Sequence, residues 1–361
     1  MNSNNTQAFV EGKTVLVTGG AGFIGCALAK RLAAHASRYV VVDNLHPQVH
    51  ASSERPSDLH QAAELIVGDV TLASTWDSLL THCSPDIVIH LAAETGTGQS
   101  LTEGTRHSMV NVVGTSQMTD ALGRHGHTPS HILLTSSRAV YGEGAWKSAT
   151  GDVFYPGQRD RSQLEAAQWD YPDGTSLPAR ADVTIPAPSS IYGATKLTQE
   201  HILSAWANAQ KVALTILRLQ NVYGPGQSLT NSYTGIVALF SRLARAGQSI
   251  PLYEDGNVTR DFVFIDDVAD AIVAALATAT SAKRVLDVGS GTAATIRQMA
   301  ELVACYYSAP SPHVCGKFRD GDVRHAACDI DRTISQLPWQ PKWNLEAGVA
   351  ALQQYIASIN A

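Results

Sequence analysis

The chain has 361 residues, of which 44% are hydrophobic and 16% charged, with a formal charge of −6. This is globular rather than disordered, too long for one small core, and suits one large α/β unit with a smaller lobe. Weak acidity gives no electrostatic reason for nucleic acid or an anionic membrane as partner, and no apolar run reaches the roughly 18 residues of a membrane span.

Lys13 to Thr18 is a short β-branched run ending in glycines, and a helical pattern follows from Phe23 to Ala34. Arg38 to Asp43 reads as a second buried strand, with further strands at Glu64 to Gly68, Asp86 to Leu91 and His131 to Thr135. Helical stretches at Thr71 to His82 and Gln99 to Arg124 lie between them. Apolar strands alternating with helices predict a parallel sheet covered on both faces. Residues 143 to 186 are rich in glycine, proline and polar residues, punctuated by Trp146, Phe154, Tyr155, Trp169 and Tyr171. So long an interruption indicates a functional loop or a small inserted subdomain, packed by those aromatics. Ile191 to Ala209 reads as a long helix, Val212 to Leu219 as a strand and Tyr233 to Ala246 as a helix.

Met1 to Gly12 is polar and lacks the apolar stretch of a signal peptide. Cys26, Cys83, Cys305, Cys315 and Cys328 are scattered, odd in number and outside metal spacing, which predicts a reduced cytoplasm. His107, His125, His127 and His131 do not form a recognised ligand cluster, so no metal is expected.

Gly19, Gly22 and Gly25 follow a strand and open a helix at Phe23 and Ile24. Glycines so placed let the backbone approach a pyrophosphate and present helix N-terminal amides to it. Asp43 ends the second strand, where a carboxylate accepts from ribose hydroxyls and repels a 2′-phosphate, favouring NAD over NADP. An ordinary turn former is the plainer reading of Asp43. Asp69, closing the third strand, stands where it could meet the adenine amine.

Tyr192 and Lys196 lie one helical turn apart on one face. A phenol with an ordinary pKa of about 10 is a poor base, but a neighbouring ammonium lowers it toward the working range. Such a pair is common by chance on solvated helices. It gains weight from the glycine loop and from Thr135-Ser136-Ser137 at a strand end, where a hydroxyl could bond a substrate oxygen or merely cap a turn.

These residues resemble the extended short-chain dehydrogenase/reductases, in particular the nucleotide-sugar epimerases and dehydratases. The resemblance runs from Thr14 to about Trp343 and includes Val17 to Gly25, His90 to Ala93, Asn111 to Thr115, Ser136 to Gly142, Tyr192 to Lys196, Arg218 to Pro225 and Arg260 to Asp267. It implies a Rossmann-type doubly wound parallel sheet with a smaller C-terminal α/β substrate lobe. Residues 1–218 would be the NAD-binding domain, interrupted at about 143–186, and 219–361 the sugar-nucleotide lobe, of which about 258–295 would pack back on the first domain. Ser137, Tyr192 and Lys196 are implied as the catalytic set. Phe23, Ile24, Asn44, Val70, Leu91, Ala92, Ala93 and Asn111 would join the glycines, Asp43, Asp69, Tyr192 and Lys196 around NAD. Glu94, Thr95, Ser137, Arg138, Asn221, Arg260, Arg319 and Asp322 would face the sugar nucleotide. An arginine fork suits a diphosphate, although Arg260 beside Asp261 could equally form a structural ion pair.

In the related 4,6-dehydratases an Asp-Glu pair follows the catalytic hydroxyl and supplies the acid and base for loss of water. Arg138-Ala139 stands there in this chain, which points away from dehydration and toward 4-epimerisation with tightly held NAD. Glu94 to Ser100, Ser137 to Gly144 and Leu219 to Asn231 resemble a subgroup of dTDP-L-rhamnose 4-epimerases, which make dTDP-6-deoxy-L-talose for surface polysaccharides. Several members of the subgroup carry cysteines in the insert, resembling a metal ribbon; this chain has none between Cys83 and Cys305. UDP-hexose 4-epimerisation is the alternative enzyme reading. A non-catalytic NAD-binding protein on the same fold is another, which retention of Ser137, Tyr192 and Lys196 disfavours. The resemblance also implies a homodimer formed through the Gln99–Arg124 and Ile191–Ala209 helices.

Overall fold

The structure, a computed structural model, describes residues 8–50, 52–172, 174–228 and 235–359. Strand β1 (Thr14–Thr18) passes through the glycine loop into α1 (Phe23–Leu32), and β2 (Arg38–Asp43) and β3 (Ala63–Val67) follow. Next come α2 (Ala73–His82), β4 (Ile87–His90), α3 (Thr97–Ser100), α4 (Gly104–Ser108), α5 (Gly114–Arg124) and β5 (His131–Ser137). The segment beyond β5 holds β6 (Trp146–Ser148), β7 (Val153–Phe154), α6 (Arg161–Glu165) and β8 (Gly174–Ser176). Helix α7 (Ile191–Gln210) and β9 (Ala213–Leu219) then return the chain to the main sheet.

That sheet has seven strands in the order β13-β9-β5-β4-β1-β2-β3, where β13 is Arg284–Val288, and every pairing is parallel. Alternate strand residues point to opposite faces. Val15, Val17 and Val41 therefore enter one core with Leu28 of α1, while Leu16, Val40 and Val42 enter the other with Leu79, Met118 and Leu203. Burial on both faces is why these strands read as continuous apolar runs rather than alternating ones. The strand order turns back at β1, between β2 and β4, which opens a crevice at the C-terminal ends of those strands.

The remaining chain runs through β10 (Asn221–Tyr223), α8 (Ile236–Arg245), β11 (Pro251–Leu252), β12 (Thr259–Phe264) and α9 (Ile265–Ala277) before β13. After it come β14 (Ala293–Thr295), α10 (Ile296–Tyr306), β15 (His313–Val314), β16 (His325–Ala326), α11 (Asp331–Gln336) and α12 (Leu345–Ile359). Strands β10, β12 and β14, with β16 beside β12, make a small sheet. A third core around Phe240, Met299 and Leu352 packs against it. The expected helix at Tyr233 is described only from Ile236; Tyr233, and Leu229 to Asn231 of the quoted stretch, lie outside the described residues, as do residues 1–7.

One expected element is broken. Gln99 to Arg124 is not a single helix: α3 ends at Ser100, α4 starts at Gly104, and a π-helical turn occupies Met109–Val113 before α5. Thr115 and Ser116 hydroxyls bond back to the Asn111 and Val112 carbonyls at 2.6 and 3.1 Å, competing with the regular ladder.

In the segment after β5, β6 is the central strand of a three-stranded antiparallel sheet with β7 and β8. Trp146 is buried there, edge-on to Tyr171 at 5.0 Å, and Trp169 meets Phe318 at 6.4 Å. Phe154 is partly buried opposite Trp146, and Tyr155 stays exposed, accepting a hydrogen bond from the Ile185 amide. Charge does as much as the aromatics. Buried Arg159 holds Glu254 through two hydrogen bonds at 2.9 Å, and buried Arg324 binds Asp170, Asp255 and Glu254.

Candidate active site

Gly19 has φ +64°, and a Cβ there would lie 2.8 Å from the Ala92 Cα, so the loop after β1 packs directly on the end of β4. Gly22 precedes α1 with no side-chain cap, leaving the first-turn amides of that helix open to a ligand. Asp43 holds the loop to β2, its carboxylate accepting from the Ala21 and Leu45 amides at 3.1 and 2.9 Å. Asp69 accepts from the Thr71 amide at 2.8 Å. Gly19, Gly22, Phe23, Ile24, Gly25, Asp43, Asn44, Asp69, Val70 and Leu91 to Ala93 all line one cleft of about 860 Å³. A glycine cradle, open helix amides and a strand-end carboxylate fit a dinucleotide.

Asn111 is a correction. It does not line the cleft but lies wholly buried behind it. Its Oδ1 accepts from the Glu94 amide at 2.8 Å, and its Nδ2 donates to the Glu94 carbonyl and Thr195 Oγ1 at 3.0 and 2.9 Å. With its amide satisfied by protein, Asn111 is a brace for the Ala93–Glu94 wall. The Glu94 carboxylate is likewise engaged, by Arg106 at 2.8 Å.

Ser190 caps α7 by accepting from the Gly193 amide at 3.0 Å. A Cβ on Gly193 would lie 2.4 Å from the Ala139 carbonyl oxygen, so the helix can press onto the turn Arg138–Tyr141 only because that residue is glycine. This close approach brings Tyr192 to the cleft that Ser137 also lines. Ser137 accepts from the Ala139 amide at 3.2 Å, so it caps its turn and faces the cleft as well. Burial pushes the Tyr192 phenol up; the Ser137 hydroxyl and the Arg138 guanidinium act against that.

Lys196 is 2% exposed and donates to Gln199 Oε1. Gln199 Nε2 donates to Thr115 Oγ1 at 2.9 Å, Thr115 Oγ1 meets His90 Nε2 at 3.0 Å, and His90 Nδ1 meets Thr18 Oγ1 at 2.7 Å. This chain links the lysine to the strand that carries the glycine loop. Burial, then Lys196, hold His90 down to about 3, so it is neutral. Beside it, Arg218 grips Glu200 at 2.7 Å, and Glu200 accepts from Ser136. Sequence reading missed Gln199 and Glu200. Their positions three and four residues beyond Lys196, on its own helical face, were the available signal.

Burial pushes the Lys196 ammonium from its ordinary 10.5 down to about 7, with Glu200 opposing. Between these values the unfolded chain holds the proton and the folded chain does not, so stability rises with pH across that window; below about 7 the full penalty of burying the charge applies. Lys196→Met is therefore expected to stabilise the fold at pH 7 by on the order of 2 kcal/mol, net of the donor lost to Gln199, with the gain vanishing near pH 10.5. Thermal unfolding across that range measures it, and a variant less stable than the parent at pH 7 would contradict it.

At the other end of the cleft stand Thr95, Arg138, Asn221, Arg260, Arg319 and Asp322. Arg138 Nε donates to Asn221 Oδ1 at 3.0 Å. Arg260 does form an ion pair, but with Asp322 at 2.7 Å rather than with Asp261, which accepts from the Ser290 and Gly291 amides. The Asp322 carboxylate is thus already engaged. Arg319 lies over the Tyr253 ring at 5.0 Å.

Among the described residues no three metal-ligating side chains are grouped to hold an ion, and no helix is long and apolar enough to cross a membrane. A glycine loop at the switch point of a parallel sheet, facing a Ser–Tyr–Lys set across one cleft, defines an enzyme of the Rossmann dinucleotide-dependent class. The chain belongs to the NAD dependent epimerase/dehydratase family, whose profile matches residues 15–159 and 167–289. It is 66% identical over 355 residues to the dTDP-L-rhamnose 4-epimerase of Burkholderia thailandensis, covering 98% of each chain. It is 30% identical to the UDP-glucose 4-epimerase of Mycolicibacterium smegmatis, covering 94% of this chain and 97% of that one. The solved Thermus thermophilus UDP-glucose 4-epimerase, a complex with NAD, superposes with a TM-score of 0.75 at 25% identity, covering 95% and 99%.

Proposed function

We propose that this protein is an NAD-dependent 4-epimerase that interconverts dTDP-L-rhamnose and dTDP-6-deoxy-L-talose. One observation carries the reaction type: a complete Ser137, Tyr192 and Lys196 set opens on the cleft with a cation, Arg138, where elimination would need a carboxylate pair. Identity of 66% across 98% of a dTDP-L-rhamnose 4-epimerase supports the substrate.

Gly19, Gly22, Asp43, Asp69 and Leu91 to Ala93 would hold the dinucleotide, with the pyrophosphate at the start of α1 and the adenosine ribose at Asp43. When bound, NAD supplies the reversible two-electron acceptor for carbon 4. Ser137 orients the carbon 4 hydroxyl, and Tyr192 as phenolate takes its proton and later returns it. Lys196 supplies positive charge beside the phenolate. Arg260 and Arg319 would hold the diphosphate, which leaves the sugar as the part free to turn and present its other face. Met109, Leu101 and Ile191 are exposed on or beside α4 and α7, and we read that surface as the contact of a homodimer working in the cytoplasm.

The test is incubation of the purified protein with dTDP-L-rhamnose, without added NAD, followed by NMR of the sugar couplings at positions 3, 4 and 5. Approach to a steady mixture of rhamno and talo isomers is the expected result. Turnover of a UDP-hexose alone would keep the chemistry and overturn the substrate; silence on every sugar nucleotide with NAD supplied would overturn both.

A further inference from the structure

Arg138 follows Ser137 in the chain and lines the same cleft as both catalytic hydroxyls, yet the proton transfers above give it no task. Asn221 fixes its Nε at 3.0 Å, while Nη1 and Nη2 make no hydrogen bond and no ion pair among the described residues. The side chain lines the cleft together with Ser137 and Tyr192. Its charge acts on the Tyr192 phenol, in the direction that favours the phenolate.

The other charged groups on the elements that carry or face Tyr192 and Arg138 are compensated or conditional. On α7, Lys196 is pushed down to about 7 by burial, so its charge is partly lost at neutral pH. From α4, His107 meets the tyrosine ring edge-on at 6.4 Å, with Nδ1 on the Glu103 carbonyl. From the small lobe, Arg260 is neutralised by Asp322. Glu143, after the turn, faces Arg159 at 3.4 Å. Arg138 itself is lowered to about 9, by burial first and Arg260 second, and so stays charged at neutral pH.

We propose that Arg138, held by Asn221, is a positioning residue that sets the ionisation of Tyr192 and shares with Lys196 the task of making the phenolate available. This rests on the assignment of Tyr192 as the proton acceptor made above. It also gives a physical use to the residue that replaces the dehydratase acid–base pair. A guanidinium cannot exchange protons with substrate at neutral pH, but it can stabilise a neighbouring anion.

The test is ultraviolet difference titration of tyrosinate in the full-length protein against its Tyr192→Phe variant, which isolates one phenol and requires no turnover. Arg138→Gln should raise the Tyr192 midpoint by about one pH unit, and Arg138→Lys should return most of that shift. In the epimerase assay, Arg138→Gln should lower kcat about tenfold near neutral pH, with recovery as the pH is raised by about one unit. If Arg138→Gln does not fold, Asn221→Ala keeps the charge but frees it, and a smaller upward shift is expected. An unmoved midpoint in either variant, or an equal shift in Arg138→Gln and Arg138→Lys, overturns the proposal. A change confined to KM would mark Arg138 as a substrate contact only and overturn it as well. A shifted midpoint in a protein silent on every sugar nucleotide would leave Arg138 standing and remove the epimerase assignment alone.

Discussion

Tyr192→Phe is expected to lower kcat about a thousandfold while leaving dinucleotide affinity within a few-fold of the parent. The substitution removes one oxygen and keeps the ring, so α7 still seats on the Arg138–Tyr141 turn through Gly193. Ser137 keeps its turn-capping bond to the Ala139 amide, so the catalytic strand end does not collapse. The loss should therefore be chemical rather than structural. It is measured by steady-state NMR turnover alongside fluorescence titration of NAD and a thermal scan. A residual rate within tenfold of the parent would remove Tyr192 as the proton acceptor; an equal fall in NAD affinity would make it a binding residue instead.

Arg324→Met should destabilise the protein by about 3–5 kcal/mol, because it breaks a buried charge cluster from one side only. Arg324 is 1% exposed and meets Asp255 at 2.7 Å, Asp170 at 3.0 Å and Glu254 at 3.0 Å. Glu254 is buried too and would keep only Arg159. Urea unfolding gives the magnitude. Limited proteolysis locates it, with cleavage expected first between residues 143 and 186, since the Arg324 guanidinium holds that segment through Asp170. Acid should mimic the variant. Hydrogen bonds from Arg324 and Asn257 oppose the burial of Asp255 and hold its carboxyl down to about 2, and the His325 and Arg324 contacts hold Asp170 well below the carboxylate range. Both groups bind protons less readily when folded, so their contribution is complete above about pH 4 and is lost as pH falls toward 2. A loss under about 1 kcal/mol in the variant would mean that the cluster is dispensable to the fold.

The parts legible in the sequence were those with local causes. Strands β1, β2 and β5 announce themselves as β-branched or aliphatic runs, and the glycines after β1 carry their own backbone requirement. Tyr192 and Lys196 are tied by helical spacing alone. The illegible parts depend on which residues meet across the fold. Asn111 belongs to a recognisable motif, but its amide turns toward Glu94, a direction set by the π-helical turn that hydroxyls four residues on help to form. Arg260 sits next to one aspartate and pairs with another 62 residues away. Nothing local to Arg159 and Arg324 says that Glu254 will be buried between them. Helix Gln99–Arg124 failed for a related reason: apolar periodicity continues through a break that only side-chain hydroxyls and a glycine mark.

Strand β13 fills the outer edge of the main sheet, but it is made long after the strand it covers. While a nascent chain emerges, β9 exposes a row of unpaired amides and carbonyls from the moment residue 219 clears the ribosome until residues 284 to 288 arrive. The intervening chain must fold the small lobe's first strands and α9 before that edge is sealed. Translation stalled or ended within this interval would release a product with an open, apolar strand, a template for association with other copies of itself.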